Sequence, residues 1–167
     1  MSSTSFRLAL LDSTHDRAAF NSDSEPLNRY LQTQATQDVR RRVAACYVAL
    51  TDEQRIAGYY TLASSSVLLT DIPANIGKKL PRYPTVPAVR MGRLAVDQAF
   101  KGQGLGGALL ADALDRAARA EIAAFAMTVD AKDDAASAFY RHHGFIDLPD
   151  SPLTLFLSLA TVRLSSK

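Results

Sequence analysis

A run of glycines is the first place where this sequence could do chemistry. Lys101, Gly102, Gln103, Gly104, Leu105, Gly106 and Gly107 stand between a largely apolar stretch, 88–96, and a helical pattern that opens at Gly104. Glycine admits backbone conformations closed to other residues and lets a ligand approach the main chain. Where such a turn enters a helix, the first amides lack a carbonyl partner and the helix dipole is positive. The segment is therefore a cradle for an anion, phosphate above all. A nucleotide P-loop would follow its last glycine with Lys and Ser/Thr, but Ala108 and Leu109 stand there. Gly102, Gly104 and Gly107 meet the dinucleotide spacing, yet no acid closes a strand about 20 residues on, and no βαβ unit opens the chain. A plain glycine turn that lets a strand meet a helix is the other alternative.

The second feature is where charge sits. Between residues 75 and 101, Lys78, Lys79, Arg82, Arg90, Arg93 and Lys101 are balanced by Asp97 alone. Between 26 and 42, Arg29, Arg40, Arg41 and Arg42 are balanced by Asp38 alone. Two readings stand: solvated faces, or a bipartite basic surface that follows a phosphate backbone. The net charge of +2 does not by itself demand a polyanion. Length (167 residues) points to one domain over 1–167, and 47% hydrophobic with 22% charged residues excludes a disordered chain. The single cysteine, Cys46, excludes an intrachain disulfide framework or a cysteine-built metal cluster, and fits a reducing compartment. No metal site is expected. No apolar run reaches the roughly 18 residues of a membrane span. The first residues lack the layout of a signal peptide, so a cytoplasmic protein without a membrane partner is expected.

Several elements must position these groups. Strands are expected over 6–10, 43–50, 56–66, 88–96, 125–129 and 153–159, the second and third forming a hairpin through 52–55. Ser24, Glu25 and Pro26 open a helix that Leu27, Tyr30, Leu31, Gln34 and Ala35 carry to about Asp38. Further helices are expected over 104–120, with Leu105, Leu109, Ala113, Ala117 and Ala120 on one stripe, and over 133–143. A short helical turn is expected over 15–20. Pro73, Pro81, Pro84 and Pro87 make 71–87 a loop, with a short helix around 74–80. Strands first, then strand and helix alternating, indicate a mixed α/β sheet rather than a doubly wound one.

On these motifs the chain resembles the GNAT superfamily of N-acetyltransferases. Residues 101–106 stand where that family carries Gln/Arg-x-x-Gly-x-Gly/Ala, with Lys101 in the first place. Gly92, Arg93, Leu94, Ala95 and Val96 resemble its strand that pairs with the pantetheine arm of acetyl-CoA. Residues 135–145 resemble its Ala-x-x-Phe-Tyr-x-x-x-Gly-Phe segment, Phe139, Tyr140, Gly144 and Phe145 included. The resemblance implies an α/β (α+β) GNAT fold with a mixed, mostly antiparallel sheet splayed in the middle and helices on both faces. It implies acetyl-CoA as co-substrate, held by Leu94, Ala95, Val96 and 101–107. Ser137 is either a further cofactor contact or a helix-surface serine. Tyr140 is the implied general acid for the departing thiolate, or else a half-buried tyrosine that fills the junction of helix and sheet; Phe139 reads as core.

The segment 20–31, the basic run after it, and Gly58, Tyr59, Tyr60, Thr61 and Leu62 narrow the resemblance. They look like the acetyltransferase toxins of bacterial type II toxin–antitoxin systems. Those enzymes acetylate the α-amine of aminoacyl-tRNA, block translation, and are neutralised by a ribbon-helix-helix antitoxin. A homodimer is implied as well. Arg29, Arg40, Arg41, Arg42, Lys78, Lys79, Arg82, Arg90 and Arg93 then become candidate RNA phosphate contacts, with Arg90 and Arg93 equally open to cofactor or antitoxin. The chemistry agrees: an α-amine titrates near ~7.7–8.0 and is largely neutral without a strong base, whereas a lysine at ~10.4 needs more help. No buried-looking glutamate base stands on 94–96 or beside Tyr140. Acetylation of a small amine or a protein N-terminus, and a non-catalytic acetyl-CoA- or RNA-binding module, are the alternatives. Cys46 reads as a small core hydrophobe, His142 and His143 as helix-end cations, Ser64, Ser65 and Ser66 as a strand end or pocket floor, and His15 has no reading.

Overall fold

The computed structural model describes residues 5–164. Among them seven strands form: β1 (Arg7–Leu10), β2 (Ala45–Leu50), β3 (Ile56–Leu68), β4 (Thr85–Val96), β5 (Ala126–Asp130), β6 (Ile146–Asp147) and β7 (Thr154–Ser158). Their order in the sheet is β1-β2-β3-β4-β5-β7-β6. Helices are α1 (Glu25–Arg29), α2 (Ala35–Arg40), α3 (Ala74–Gly77), α4 (Leu105–Arg119) and α5 (Asp134–His142). The sheet is mixed and mostly antiparallel, as expected: β4 and β5 pair in parallel, while β1–β2, β2–β3, β5–β7 and β6–β7 pair antiparallel. Among the described residues no helix is long and apolar enough to cross a membrane.

The chain forms two compact units, one of residues up to Ala63 with Gly92–Ala113, the other of Ser64–Met91 with Leu114 onward. In the first, Phe20, Leu31, Ala35, Val48, Leu50, Ile56, Tyr59 and Ala95 make the core. The hairpin pairs Tyr47 with Tyr60 and Val48 with Tyr59, so side chains alternate between the faces of the sheet. Ser24 caps α1, its hydroxyl accepting from the Leu27 amide at 3.4 Å. The expected single helix is interrupted. Tyr30–Gln34 winds as a π-helix, with the Ala35 amide donating to the Tyr30 carbonyl. Gln34 is consequently exposed and the buried face passes through Ala35 and Val39.

Other boundaries move for local reasons. Arg42 takes a left-handed φ of 62°, and the Val43 and Ala44 amides donate to the Asp38 carbonyl. Those bonds hold 43–44 to the helix end, so β2 starts at Ala45 rather than 43. The helical turn expected at 15–20 does not form. Thr14 and Ala18 amides donate to the side chains of Asp12 and Asp16, a local alternative to helix, and Asp16 bridges to Arg55. Ala120 lies past α4 and is exposed, whereas Leu105, Leu109, Ala113 and Ala117 are buried on the expected stripe.

In the second unit Ile72, Val86, Ala126, Leu148 and Phe156 form the core. The parallel ladder runs from Ala88↔Ala126 to Met91↔Val129, after which β4 continues to Val96. The two-residue strand β6, paired through Ile146↔Phe156, carries too short a pattern to read in sequence. β3 runs on to Leu68, which puts Ser64, Ser65 and Ser66 inside a strand rather than at its end.

Gly58 sets how closely the elements of the first unit approach. A Cβ there would stand 2.9 Å from the Ala95 carbonyl oxygen and 2.9 Å from Leu109 Cδ1. The carbonyl is main chain and cannot rotate away. Gly58→Ala should therefore destabilise the fold by roughly 1–3 kcal/mol. Thermal unfolding followed by circular dichroism should show Tm falling by about 2–4 °C for each kcal/mol; an unchanged Tm would show that this contact yields.

Candidate active site

The glycine turn is built from its entrance inward. Asp97, 1% exposed, accepts from the Ala99 amide at 2.8 Å and so caps the 3-10 turn Gln98–Phe100. Gly102 (φ 80°) and Gly104 (φ 77°) then take left-handed conformations, and a Cβ on either would meet nothing within 4 Å. Their requirement for glycine is conformational, not spatial. The Ala108 amide makes the first bond of α4, to the Gly104 carbonyl at 3.1 Å. The amides of Leu105, Gly106 and Gly107 precede it and have no carbonyl within the helix. Leu105 is buried and anchors the turn; Lys101, Gly102, Gln103 and Gly104 are exposed, and Gly106 and Gly107 half-buried. Lys101 Nζ lies 2.6 Å from Asp23 Oδ2. An accessible row of amides beside left-handed glycines is a donor set that fits a pyrophosphate.

On β4 in the same unit, Ala95 is buried while Leu94 and Val96 are half-buried. The Asp97 amide donates to the Ala57 carbonyl at 2.8 Å, which fixes the end of the strand. The structure thus brings the strand and turn residues, 94–96 and 101–107, into one unit.

Tyr140 and Ser137 belong to the second unit, on α5. Asp133 caps that helix, accepting from the Ala136 amide at 2.8 Å, and Gly144 (φ 96°) ends it. Tyr140 is 7% exposed and packs edge-on against Phe139 and tilted against Phe145. Its hydroxyl makes no hydrogen bond among the described residues. Burial, then the charge of Asp130, push the phenol up to about 12, so it keeps its proton at any physiological pH. Ser137 is 0% exposed, which excludes the helix-surface alternative, and its Oγ is an orphaned buried polar atom. Phe139 is half-buried rather than core.

The basic candidates divide between the units. Arg40, Arg41 and Arg42 are exposed together at the end of α2, and Arg29 is exposed beside Glu25 at 3.8 Å. In the second unit Lys78, Lys79 and Arg82 are exposed on one loop, where the Arg82 guanidinium also donates to the Gly77 and Leu80 carbonyls. Arg90 and Arg93 are already engaged. Arg90 pairs with Asp130 at 2.5 Å, and Arg93 is half-buried with its guanidinium 3.5 Å over the Tyr30 ring.

Some groups escaped the sequence reading. Tyr30, which its spacing marked only as an apolar position, donates its hydroxyl to Asp38 at 2.7 Å. That bond holds the Asp38 carboxyl below its ordinary range, and burial followed by the same bond raises the phenol. Tyr83, 69% exposed beside Arg82, is a large aromatic surface on the basic loop. Asp97 was read only as the one acid of a basic stretch. Cys46 matches its core reading: it is buried, and burial pushes its thiol up to about 12. Among the described residues no group of three or more His, Cys, Asp or Glu could hold a metal ion. His142 and His143 are exposed at the end of α5, and His15 Nδ1 accepts from the Asp12 amide at 3.0 Å.

Comparison with known proteins agrees with this geometry. Residues 9–145 match the acetyltransferase (GNAT) family. A tRNA-acetylating toxin of Mycobacterium tuberculosis is 37% identical over 150 residues, covering 89% of each chain. The solved structure of AtaT complexed with acetyl-methionyl-tRNAfMet superposes with a TM-score of 0.88 at 30% identity, over 95% of this chain and 97% of the other. A mutant AtaT toxin bound to the C-terminus of the antitoxin AtaR and acetyl-CoA gives 0.79 at 26% identity, over 95% and 96%. The expected family is thereby established: this chain belongs to the acetyltransferase (GNAT) family.

Proposed function

We propose that this protein is an acetyl-CoA-dependent toxin that acetylates the α-amine of aminoacyl-tRNA and so inhibits translation. The observation that carries the reading is the backbone of 102–107, where two left-handed glycines lead into amides ahead of the first helical bond. The tRNA-acetylating relative and the AtaT complexes support the substrate class and the co-substrate. Lys101, Gly102, Gln103, Gly104, Leu105, Gly106 and Gly107 hold the pyrophosphate, and Leu94, Ala95 and Val96 align the pantetheine arm. Ser137 Oγ, orphaned in the interior, supports a polar contact on the cofactor side. Bound acetyl-CoA supplies an acetyl thioester to a neutral amine.

Tyr140 Oη holds the proton that the departing sulfur requires. Acylation releases one proton from the amine nitrogen and consumes one at the sulfur, so a phenol that gives up its proton and regains one leaves no net charge behind. A buried hydroxyl without a protein partner is free to do this. Exposed Arg29, Arg40, Arg41, Arg42, Lys78, Lys79 and Arg82 contact tRNA phosphates, and Tyr83 offers a face on which an unpaired base stacks. The whole chain acts as one domain in the cytoplasm, as a homodimer, held off by a ribbon-helix-helix antitoxin; the AtaT–AtaR complex supports the antitoxin.

The function is tested by mixing the purified chain with charged tRNAs and radiolabelled acetyl-CoA. Label should remain on tRNA in a form released by ester cleavage; labelling of free amines alone would exclude the reading. Tyr140→Phe should leave acetyl-CoA affinity nearly unchanged and cut turnover by about 10²–10⁴-fold, measured as kcat against the calorimetric Kd. Because the phenol titrates at about 12, kcat should rise with amine deprotonation and show no alkaline fall between pH 8 and roughly 10. A descending limb there would assign the proton to another group. Reversing Arg40, Arg41 and Arg42 to Glu should weaken tRNA binding and flatten its log–log salt dependence by roughly 2–3 in slope, with acetyl-CoA binding intact. An unaltered slope would place the tRNA elsewhere.

A further inference from the structure

The carboxylate of Asp97 is buried at the entrance of the glycine turn and ties together segments far apart in sequence. Oδ2 accepts the Asn21 amide at 2.9 Å, and Oδ1 accepts the Ala99 amide at 2.8 Å and Arg55 Nη2 at 3.3 Å. Beside it, the Gln98 amide donates to the Asn21 carbonyl at 3.0 Å, and Gln98 Nε2 to the Ser22 carbonyl at 3.2 Å. At the outer end Lys101 closes on Asp23 at 2.6 Å. Residues 21–23 are in turn locked to α1. The Ser22 amide and hydroxyl both donate to Asn28 Oδ1 at 2.7 Å, and Ser22 and Asn28 are each 4% exposed. A continuous polar seam therefore runs from the amides of the turn to the first helix, and its charged hub is out of water. Buried polar networks of this kind hold one geometry because every alternative leaves a group unsatisfied.

We propose that Asp97 is a positioning residue for the cofactor turn, and that through 21–23 it couples occupation of the turn to the ordering of the segment that opens α1. The coupling rests on the reading of 101–107 as the acetyl-CoA cradle. A ligand that fixes the turn must also fix what is bonded to it, and the effect is reciprocal: loosening 21–23 weakens the ligand by the same factor. Asp97 touches neither acetyl group nor amine. It acts on the donors that do the holding.

Hydrogen exchange of the full-length protein, read by mass spectrometry with and without acetyl-CoA, separates the possibilities. In the wild type, acetyl-CoA should slow exchange at 105–108 and at 21–24 together. In Asp97→Asn, which keeps one acceptor but turns a donor toward the Asn21 amide, protection at 21–24 should vanish. KM for acetyl-CoA should then rise at least about 5-fold while kcat stays nearly constant, and Asp97→Ala should raise KM further. Asp23→Asn, at the exposed end of the seam, should raise KM more modestly without threatening the fold; it decides the matter if Asp97 variants do not fold. Protection at 105–108 without 21–24 in the wild type, or an unaltered KM in a folded Asp97→Asn, overturns the coupling. Protection at neither segment would instead overturn the cradle itself.

Discussion

A helix cannot bond its own first amides, and that shortfall organises the first unit of this protein. Leu105, Gly106 and Gly107 present N–H groups before the bond from Ala108 to Gly104 begins the regular ladder. Donors left over in this way must be met by water or by an anion. The surrounding residues keep them accessible and aimed. Two left-handed glycines turn the chain, Leu105 pins the helix start in the core, and Gly58 leaves room for Leu109 and the Ala95 carbonyl to approach. The charge that steadies the arrangement, Asp97, sits behind the turn and bonds to other amides and to Arg55, so it does not compete for the ligand's donors.

The second unit contributes a different economy of charge. A phenol raised to about 12 is a poor acid in water, but it faces a substrate that needs little assistance, because an α-amine near ~7.7–8.0 is substantially neutral in the cell. The enzyme can then do without the carboxylate base that a lysine acceptor would require. Asp130, whose charge contributes to the shift, is itself paired with Arg90 and accepts the Thr154 hydroxyl at 3.1 Å. Arg90 is thus better explained by its neighbour than by a distant phosphate. Arg93, stacked on Tyr30, has a similar local explanation.

Much of this was legible in the sequence. The glycine turn, the strand before it and the Phe139–Tyr140 segment declare themselves because backbone conformation and helix caps depend on residue type at single positions. The mixed sheet follows from strands preceding the alternation of strand and helix. Less visible were features that depend on partners distant in the chain. Asp97 has no local signature, since its partners are Asn21 and Arg55. Ser137 read equally as surface or cofactor contact until packing buried it. Charge counts could collect nine cations but could not tell Arg93, resting on an aromatic ring, from Arg41 in solvent. The turn expected at 15–20 failed because Asp12 and Asp16 hydrogen-bond backbone amides in place of helical carbonyls.

The π-helical step at Tyr30–Gln34 bears on how this protein tolerates changes in length. A wide turn spends one residue more than a regular one over nearly the same rise, so it behaves as an absorbed insertion. Deleting any one residue from it would let the helix close regularly, but everything downstream would swing by about 100° around the axis. Ala35 and Val39 would leave the core, and the arginines that follow would be carried to another side of the molecule. An indel of one amino acid in this stretch is accordingly a change of surface, even if the helix itself were better formed.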